Sequence, residues 1–272
     1  MGFSVNTNQG ALVALQNLNK TNTQLNVVQG RINTGLKVAG AKDDASVFAI
    51  AQKQRAELGG LSAVKSSLDR STGALDVALA GAEAVSDLLI SLKEKAVASR
   101  DQGNDATSRG LLNNDYRQLV SQINTIVKNA EFNGLNALQA NNIVAIVDAS
   151  GASANAITIT AQDIDATTLA LATTSIDTSA NALAAVTAID AAISSVNSSL
   201  SALGAGSKRI EIVGTFIEKL SDAIEVGIGN LVDADLARES ANLQSLQVKQ
   251  QLGLQALSIA NQAPGTVLSL FR

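Results

Sequence analysis

The chain has 272 residues, long enough for one large domain or two small ones. It contains no Cys and no His, which excludes disulfides, a Ser-His-Asp triad and zinc sites built from His or Cys ligands. The net charge is −4, no basic stripe is present, and aromatic residues make up only 2% of the chain. A nucleic acid is therefore not expected as a partner.

The composition predicts a mainly α fold. A single Pro leaves helices almost uninterrupted, and with few aromatic rings the core must be built from small and aliphatic side chains. No catalytic constellation, metal site or cofactor motif is present, so we expect a protein that is not an enzyme and has no cofactor.

The N-terminal arm, residues 1–40, is nearly free of charge, and Lys20 is the single charged residue in 1–30. It lacks the basic and apolar regions of a cleavable secretion signal, so export by another route is expected. Its apolar residues recur near spacing seven: Leu12, Leu15, Leu18, Leu25, Val28 and Ile32.

Residues 41–138 are predicted to form the first part of a helical bundle. Asp43 and Asp44 precede a long apolar pattern, where capping is favoured over a metal site. The first heptad seam is Leu61, Leu68, Leu75 and Leu89. Breaker residues at 101–105 predict a turn, after which a second helix carries the seam Leu112, Leu119 and Ile126, with Tyr116, Ile123 and Ala130 between them. We expect residues 131–134 to stop that helix, with Gly134 as its C-terminal signal.

Residues 139–180 lack the heptad pattern of the neighbouring segments. Alternating Ile and Val around 143–159 predict a small β-hairpin there. The Ser/Thr-rich remainder is interpreted as an exposed loop region, with a surface for O-glycosylation as the alternative. Asp163 and Asp165, like Asp233 and Asp235 farther along the chain, are interpreted as turn or cap residues.

Residues 181–234 carry the longest seam and form the second part of the bundle. Its members lie at unbroken spacing seven: Ile189, Val196, Leu203, Ile210, Ile217, Ile224 and Leu231. Three seams are most simply buried against one another, which predicts an elongated, coiled-coil-like helical bundle. No run of 18 consecutive apolar residues occurs, so membrane insertion is not expected.

The C-terminal arm, residues 235–272, has two apolar faces. Leu243, Leu246 and Leu257 lie on one face, and Val248, Leu252 and Ile259 lie nearly opposite. Further apolar residues follow at the end of the chain: Leu268, Leu270 and Phe271. Pairing of the two arms buries one face of each and leaves the other, so we expect both arms to drive self-association. Membrane-surface binding is the alternative, but interfacial helices usually carry more Lys and Arg.

At the two ends the residues match a known family. Residues 31–51, together with Val5–Asn8, resemble the N-terminal signature of bacterial flagellins. Residues 231–240 resemble the entry to that family's last helix, and residues 255–272 resemble its C-terminus. Two long signatures in the right order are far more specific than a short motif.

The resemblance implies a structural subunit that polymerises into a flagellar filament for swimming motility. In that family the paired terminal helices form an inner domain, the heptad segments form the next domain, and a variable middle segment faces solvent. The family is secreted through the flagellar export apparatus without a cleaved signal peptide. The implied partners are copies of itself, an export chaperone, the filament cap and hook-junction proteins.

One stretch departs from the family pattern. Many flagellins carry an Arg and a Leu at positions matching Ser91 and Lys95, in a segment that an animal Toll-like innate receptor recognises. Because Ser cannot replace the five-donor guanidinium of Arg, we expect weak recognition by that receptor. A hook–filament junction protein and a lipid-surface or coiled-coil adhesin are the remaining alternatives for the whole chain.

Overall fold

The computed structural model describes residues 7–149 and 155–269, with side chains described as far as residue 262. Five helices and two strands follow one another in the described residues: α1 (Gln9–Thr34), α2 (Ala45–Ser99), α3 (Ala106–Asn129), β1 (Ile143–Ala145), β2 (Ile157–Ile159), α4 (Ser179–Val232) and α5 (Leu236–Ser269). The mainly α fold with a small hairpin is therefore confirmed. The chain divides into two compact units: unit 1 holds residues 1–56 and 223–272, and unit 2 holds residues 57–222.

In unit 1 the first helix, α1, and the last helix, α5, pack side by side. Gly35, in the left-handed conformation (φ 72°), ends α1, and its amide donates to the Arg31 carbonyl at 2.8 Å. Only a residue without Cβ adopts this φ at little cost. A second cluster in unit 1 consists of Val38, Ala51, Ile228 and Val232. The chain segments that leave α1 and enter α5 are therefore anchored to this cluster.

Unit 2 is a bundle in which α2 runs antiparallel to both α3 and α4. Lys95 of α2 pairs with Asp115 of α3 at 2.8 Å, and Lys93 of α2 pairs with Asp190 of α4 at 2.7 Å. A further pair, Lys65 with Glu218, lies toward the other end of unit 2 at 2.6 Å. These exposed pairs add little stability individually, but they define the register of the helices.

The predicted turn between α2 and α3 is confirmed. Asp105 caps α3 by accepting the Ser108 amide at 2.7 Å, and Asp101 accepts the Gly103 amide at 2.9 Å. Arg109 then donates to the carbonyls of Ser99 and Asp101, where α2 ends and carbonyls lack partners within the helix.

The predicted stop of α3 before residues 131–134 is confirmed, but the prediction that Gly134 is the C-terminal signal of the helix is wrong. The helix ends at Asn129 with Ala130 as its C-cap, and the side-chain amide of Asn136 donates to the Val127 carbonyl at 2.7 Å. Gly134 (φ 82°) and Asn133 (φ 49°) instead form a tight turn. This turn lies between Phe132 and Leu135, which exchange two backbone hydrogen bonds. Asn-Gly favours such a turn because both central residues need positive φ.

The predicted β-hairpin is confirmed, with Ile143 opposite Ile159 and Ala145 opposite Ile157 in an antiparallel pair. Its buried side packs within unit 2, where Ile159 lies against Gly206 of α4. The amide of Ile146 donates to the Ser67 hydroxyl of α2 at 3.2 Å. The hairpin therefore packs against both of these helices.

The Ser/Thr-rich stretch is more firmly packed than an exposed loop. The aliphatic side chains spaced along it are fully buried: Ile164, Ala166, Leu171 and Ile176. The Thr side chains at 167 and 168, which lie between these anchors, face solvent. The composition indicated an exposed loop because hydroxyl side chains are numerous in this stretch, whereas the few aliphatic side chains that anchor it have little effect on the overall composition.

By length and composition, α4 resembles a membrane span within the described part of the chain. Its apolar stripe is nevertheless buried in unit 2, with Ile189, Val196 and Leu203 fully inaccessible to solvent. This is the arrangement of a helix in a bundle core.

Candidate assembly surfaces

The arm pair, which we define as α1 and α5, is antiparallel and contacts along its length. Near one end the Asn8 side-chain amide donates to the Ala260 carbonyl at 2.6 Å. Midway, the Gln250 amide donates to the Asn22 side-chain oxygen at 2.8 Å. Uncharged amides thus supply polar contacts between helices that carry almost no charge.

The apolar contact of the arm pair is a narrow stripe. Leu25, Val28 and Leu246 are buried there, and Ile32 and Leu243 pack against them at intermediate exposure. Leu18 is also buried. Because a fully buried Leu contributes about 1.5–3 kcal/mol, this short stripe holds the two helices together only modestly.

One ion pair fixes the end of the arm pair where α1 stops and α5 starts. Arg31 Nη1 lies 3.0 Å from Glu239 Oε1, with side-chain exposures of 34% and 11%. Arg31 is in the last turn of α1 and Glu239 is in the first turn of α5. Each charge therefore complements the dipole of its own helix as well as its partner.

The outer α5 face, defined as Val248, Leu252 and Ile259, has no partner in the described residues of this chain. These side chains are 55%, 57% and 69% exposed. Leu257, from the opposite face, is at intermediate exposure. On α1, Leu12 and Leu15 are exposed as well. An apolar surface of this kind on both helices indicates a protein contact.

The predicted self-association residues are therefore divided by the structure. Leu18, Leu25, Val28, Ile32, Leu243, Leu246 and Leu257 face the partner arm, whereas Leu12, Leu15, Val248, Leu252 and Ile259 face outward. The side chain of Leu268, and all of Leu270 and Phe271, lie outside the described residues.

Four exposed apolar residues of the arms were missed by the sequence reasoning: Val13, Val27, Leu236 and Leu254. A search at a spacing of seven residues from Leu18 selects the stripe of α1 that faces α5. It does not detect apolar residues on the other sides of α1. A search for apolar residues on all sides of an uncharged helix would have found them.

The bundle seams of α2 and α4 lie in the core of unit 2. The seam residues that are buried there are Leu61, Leu68, Leu75, Leu89, Ile189, Val196, Leu203, Ile210 and Ile217. Ile224 and Leu231, at the end of the third seam, pack at intermediate exposure on the Val38 cluster of unit 1.

The α3 seam is placed differently. Leu112, Leu119 and Ile126 are only partly buried, whereas Tyr116, Ile123 and Val127 are fully buried. The Tyr116 hydroxyl lies 2.7 Å from the Thr174 hydroxyl, and burial raises the pKa of Tyr116. The companion row therefore faces the core of unit 2, because α3 packs against the middle segment as well as against α2.

The Asp pairs act as caps and turns, as expected. Asp44 accepts the amides of Ser46 and Val47 at the start of α2, and Asp43 closes the preceding loop by accepting the amides of Ala39 and Gly40. Asp235 caps α5 by accepting the Arg238 amide. Asp165 accepts the amides of Thr167 and Thr168, and Asp163 accepts the amide of Asp165. These carboxylates have structural roles.

The shifted pKa values have local causes. Hydrogen bonds from Ser108 lower the pKa of Asp105, and those from Asn181 and Ser175 lower the pKa of Asp177. The ion pair raises the pKa of Lys65 and lowers that of Glu218. All four groups are on the surface and serve helix caps or helix register. Among the described residues, no group of three or more Asp or Glu is placed to hold a metal ion.

Comparison with known proteins agrees with this arrangement. Residues 5–143 match the model of the bacterial flagellin N-terminal helical region, and residues 186–271 match that of the C-terminal helical region. Flagellin FljK of Caulobacter vibrioides is 46% identical over 273 residues, covering 99% of this chain and 98% of the relative. A flagellin of Brucella melitensis is 37% identical over 284 residues, covering 99% of each chain.

Two solved structures share the fold. The crystal structure of Bacillus cereus flagellin has a TM-score of 0.50 at 23% identity, and it covers 56% of this chain and 88% of its own. A putative flagellar hook-associated protein from Vibrio parahaemolyticus has a TM-score of 0.57 at 14% identity, and it covers 70% of this chain and 100% of its own. At these identities the likeness concerns the fold alone.

Proposed function

The chain belongs to the bacterial flagellin family, whose members are structural filament subunits and not enzymes, and from this premise we propose that its exposed arm surface drives polymerisation. The protein is a component of the flagellar filament and serves motility. The observation that carries the proposal is the outer α5 face, because it stays exposed after α1 and α5 have paired.

We further propose the division of labour along the chain. Residues 1–40 and 235–272 form an inner assembly domain, residues 41–138 and 181–234 form the bundle domain, and residues 139–180 form a surface segment. Residues 1–30 and 240–271 of the arms carry one charged side chain each, Lys20 and Lys249, so burial of these segments in a filament leaves few ions to desolvate. The charged side chains are instead concentrated outside the arms.

Replacement of Val248 and Leu252 by Ser tests the arm surface. Each change removes about 1–2 kcal/mol of burial per subunit contact. The critical concentration for polymerisation should therefore rise by at least about tenfold for the pair. The critical concentration is measured by sedimenting filaments that have been grown on seeds and determining the protein left in solution.

The matched control replaces Gln247 and Gln251, exposed on the same helix, by Ser. Both variants should keep the helical content of the parent in circular dichroism, since the altered side chains lie outside the α1–α5 stripe. Filament growth of the Val248/Leu252 variant at the concentration that suffices for the control would contradict the proposal.

The remaining partners follow from family membership as proposals. An export chaperone that covers the C-terminal arm would keep its apolar faces from associating before export. Passage through the flagellar secretion apparatus without a cleaved signal peptide suits a chain with no disulfide. The filament cap and the hook-junction proteins would contact the same arm surfaces at the ends of the filament.

Weak recognition by the animal flagellin-sensing Toll-like receptor is supported by the surroundings of Ser91 and Lys95. The Ser91 hydroxyl donates to the Asp87 carbonyl of its own helix at 3.2 Å. The Lys95 ammonium is held by Asp115 of α3. Neither side chain offers the planar guanidinium fork or the apolar surface of the common family pattern.

The double substitution Ser91→Arg and Lys95→Leu should therefore increase activation of receptor-bearing reporter cells by the monomer. Ser62→Arg, elsewhere on the exposed surface of α2, should leave activation unchanged. Full activation by the unaltered protein would refute the expectation.

A further inference from the structure

The tight turn that follows α3 contains the single Asn-Gly dipeptide of the chain, Asn133 and Gly134. Both residues are exposed. Neither the side-chain amide of Asn133 nor the backbone amide of Gly134 makes a hydrogen bond to another described residue. A side-chain amide and the backbone nitrogen that follows it in the chain are therefore accessible to water side by side.

These two groups can react with each other. Gly134 has no Cβ, so its backbone nitrogen is not shielded from the side chain that precedes it. Once hydroxide has removed the amide proton of Gly134, the nitrogen attacks Cγ of Asn133 with its lone pair. The new C–N bond closes a cyclic succinimide, the bond between Cγ and Nδ2 breaks, and Nδ2 leaves as ammonia after taking a proton from water.

Water then opens the succinimide at one of its carbonyl carbons. Attack at Cγ breaks the bond between Cγ and the Gly134 nitrogen and leaves an aspartate with a normal main chain. Attack at the main-chain carbonyl carbon breaks the other C–N bond and leaves an isoaspartate, whose main chain runs through Cβ and Cγ. The net change replaces the side-chain nitrogen by a water oxygen and releases ammonia, and no group is oxidised or reduced.

The closed turn keeps the reacting atoms apart. The φ angles of 49° at Asn133 and 82° at Gly134, between residues that exchange two backbone hydrogen bonds, are those of a type I′ turn. In such a turn ψ of the first central residue is about +30°, which places the next nitrogen on the side of the Cα–C bond opposite to Cβ. Ring closure needs that nitrogen on the same side as Cβ. The required rotation breaks the hydrogen bonds that close the turn.

Contacts on both flanks hold the turn closed. The Phe132 ring lies on Gly73 of α2, since a Cβ added at Gly73 would be only 3.0 Å from Cζ of that ring. On the other flank Asn136 is buried, and its side-chain amide donates to the Val127 carbonyl of α3 at 2.7 Å. Opening the turn therefore requires the loss of packing on α2 or of a buried hydrogen bond to α3.

We infer that Asn133 is a deamidation site that the closed turn holds unreactive. The side chain reacts when the turn opens or the chain unfolds, so its rate in the folded protein is proportional to the population of the open turn. This site lies outside both arms, and its chemistry does not depend on polymerisation.

The products would change the turn in two ways. Aspartate adds a negative charge two residues after Glu131. Isoaspartate adds an atom to the main chain between Phe132 and Leu135, so their two hydrogen bonds cannot form in the same register. Because the reaction is irreversible, converted copies are those in which the turn has been open.

The reaction is tested on the full chain as a dilute monomer in mildly alkaline buffer, with and without guanidinium chloride at the same pH. Mass spectrometry of the peptide containing residue 133, after chromatography that separates aspartate from isoaspartate, measures the conversion. It should be at least about tenfold faster in the unfolded chain, because every copy is then open. Asn197, which precedes Ser198, is an internal reference and should convert more slowly than Asn133 when the chain is unfolded.

Two variants separate the turn from the chemistry. Phe132→Ala removes the ring from Gly73, so conversion in the folded protein should rise severalfold while conversion in the unfolded chain stays the same. Phe216→Ala, at an exposed Phe of α4, is the matched control and should convert like the parent. Gly134→Ala adds a Cβ beside the attacking nitrogen and should nearly abolish conversion in the unfolded chain. Circular dichroism checks that the variants remain helical.

Equal conversion of the folded and unfolded parent would show that the turn does not protect Asn133. Absence of conversion in the unfolded chain would remove the site altogether. An unchanged rate in folded Phe132→Ala would overturn the role of the ring on Gly73. None of these results bears on the arm proposal, which is measured by polymerisation of the Val248 and Leu252 variant.

Discussion

Individual carboxylates fix where the helices of this protein begin. Asp44, Asp105 and Asp235 each accept backbone amides in the first turn of α2, α3 and α5. Those amides have no partner within the helix, so the side chain satisfies groups that would otherwise need water. Because each carboxylate is next to its helix in sequence, these caps could be predicted from local pattern alone.

Asp105 should make stability depend on pH in a definite direction. The Ser108 hydrogen bonds hold the pKa of Asp105 below its ordinary value of 3.8. The stabilisation is therefore complete above pH 3.8 and is lost as the pH falls through the lowered pKa. Asp105→Asn keeps a cap but removes the charge.

The melting temperature of the Asp105→Asn variant should accordingly lie below that of the parent at pH 7. The difference between the two melting temperatures should disappear in strong acid. Thermal scans by circular dichroism across this range measure it, with Asp163→Asn as the control for an exposed carboxylate that caps no helix. A gap between parent and variant that stays constant with pH would show that the charge of Asp105 contributes nothing.

Whole helices could be predicted because their seams are long. The buried rows of α2 and α4 in unit 2 follow strict spacing of seven, and burial of one stripe is what a bundle requires. The short α3 has fewer repeats, and two neighbouring rows compete for the core. Packing of Tyr116 and Ile123 against the rest of unit 2 decides between them, and sequence spacing does not.

Two glycines of α4 test how the hairpin packs on the bundle. A Cβ added at Gly206 would lie 2.9 Å from Cδ1 and 3.0 Å from Cγ1 of Ile159, whereas Gly204 has open space around it. Gly206→Ala should destabilise unit 2 by about 1–3 kcal/mol, because the overpacked hairpin must shift.

Gly204→Ala should instead stabilise it by up to about 1 kcal/mol, through helix propensity alone. Urea unfolding of the two variants under the same conditions measures the difference. Equal stability of the two would mean that the hairpin does not press on α4.

At the scale of the whole molecule, our proposal assigns assembly and folding to different parts of the chain. Unit 2 has its own buried core, and the Val38 cluster of unit 1 uses residues outside the segments 1–35 and 240–272. The arms add a narrow buried stripe and a larger exposed apolar surface. Removing them should therefore cost little of the fold.

A chain without residues 1–35 and 240–272 should be a soluble, helical monomer that does not polymerise. Circular dichroism should show cooperative unfolding, and sedimentation velocity should show a single monomeric species at concentrations where the full chain forms filaments. Filament growth from this truncated chain would refute the role given to the arms.

The sequence by itself determined the helical fold class and the family. It also predicted that the bundle and the arms have separate roles. Heptad spacing, the scarcity of charge in the arms and the terminal signatures are properties of the linear sequence, so they can be recognised without three-dimensional information. Only the tertiary structure decided which row of α3 is buried, how Asn136 ends that helix, and which arm residues face each other. Those choices depend on contacts between segments far apart in sequence, where several local patterns are equally acceptable until packing selects one.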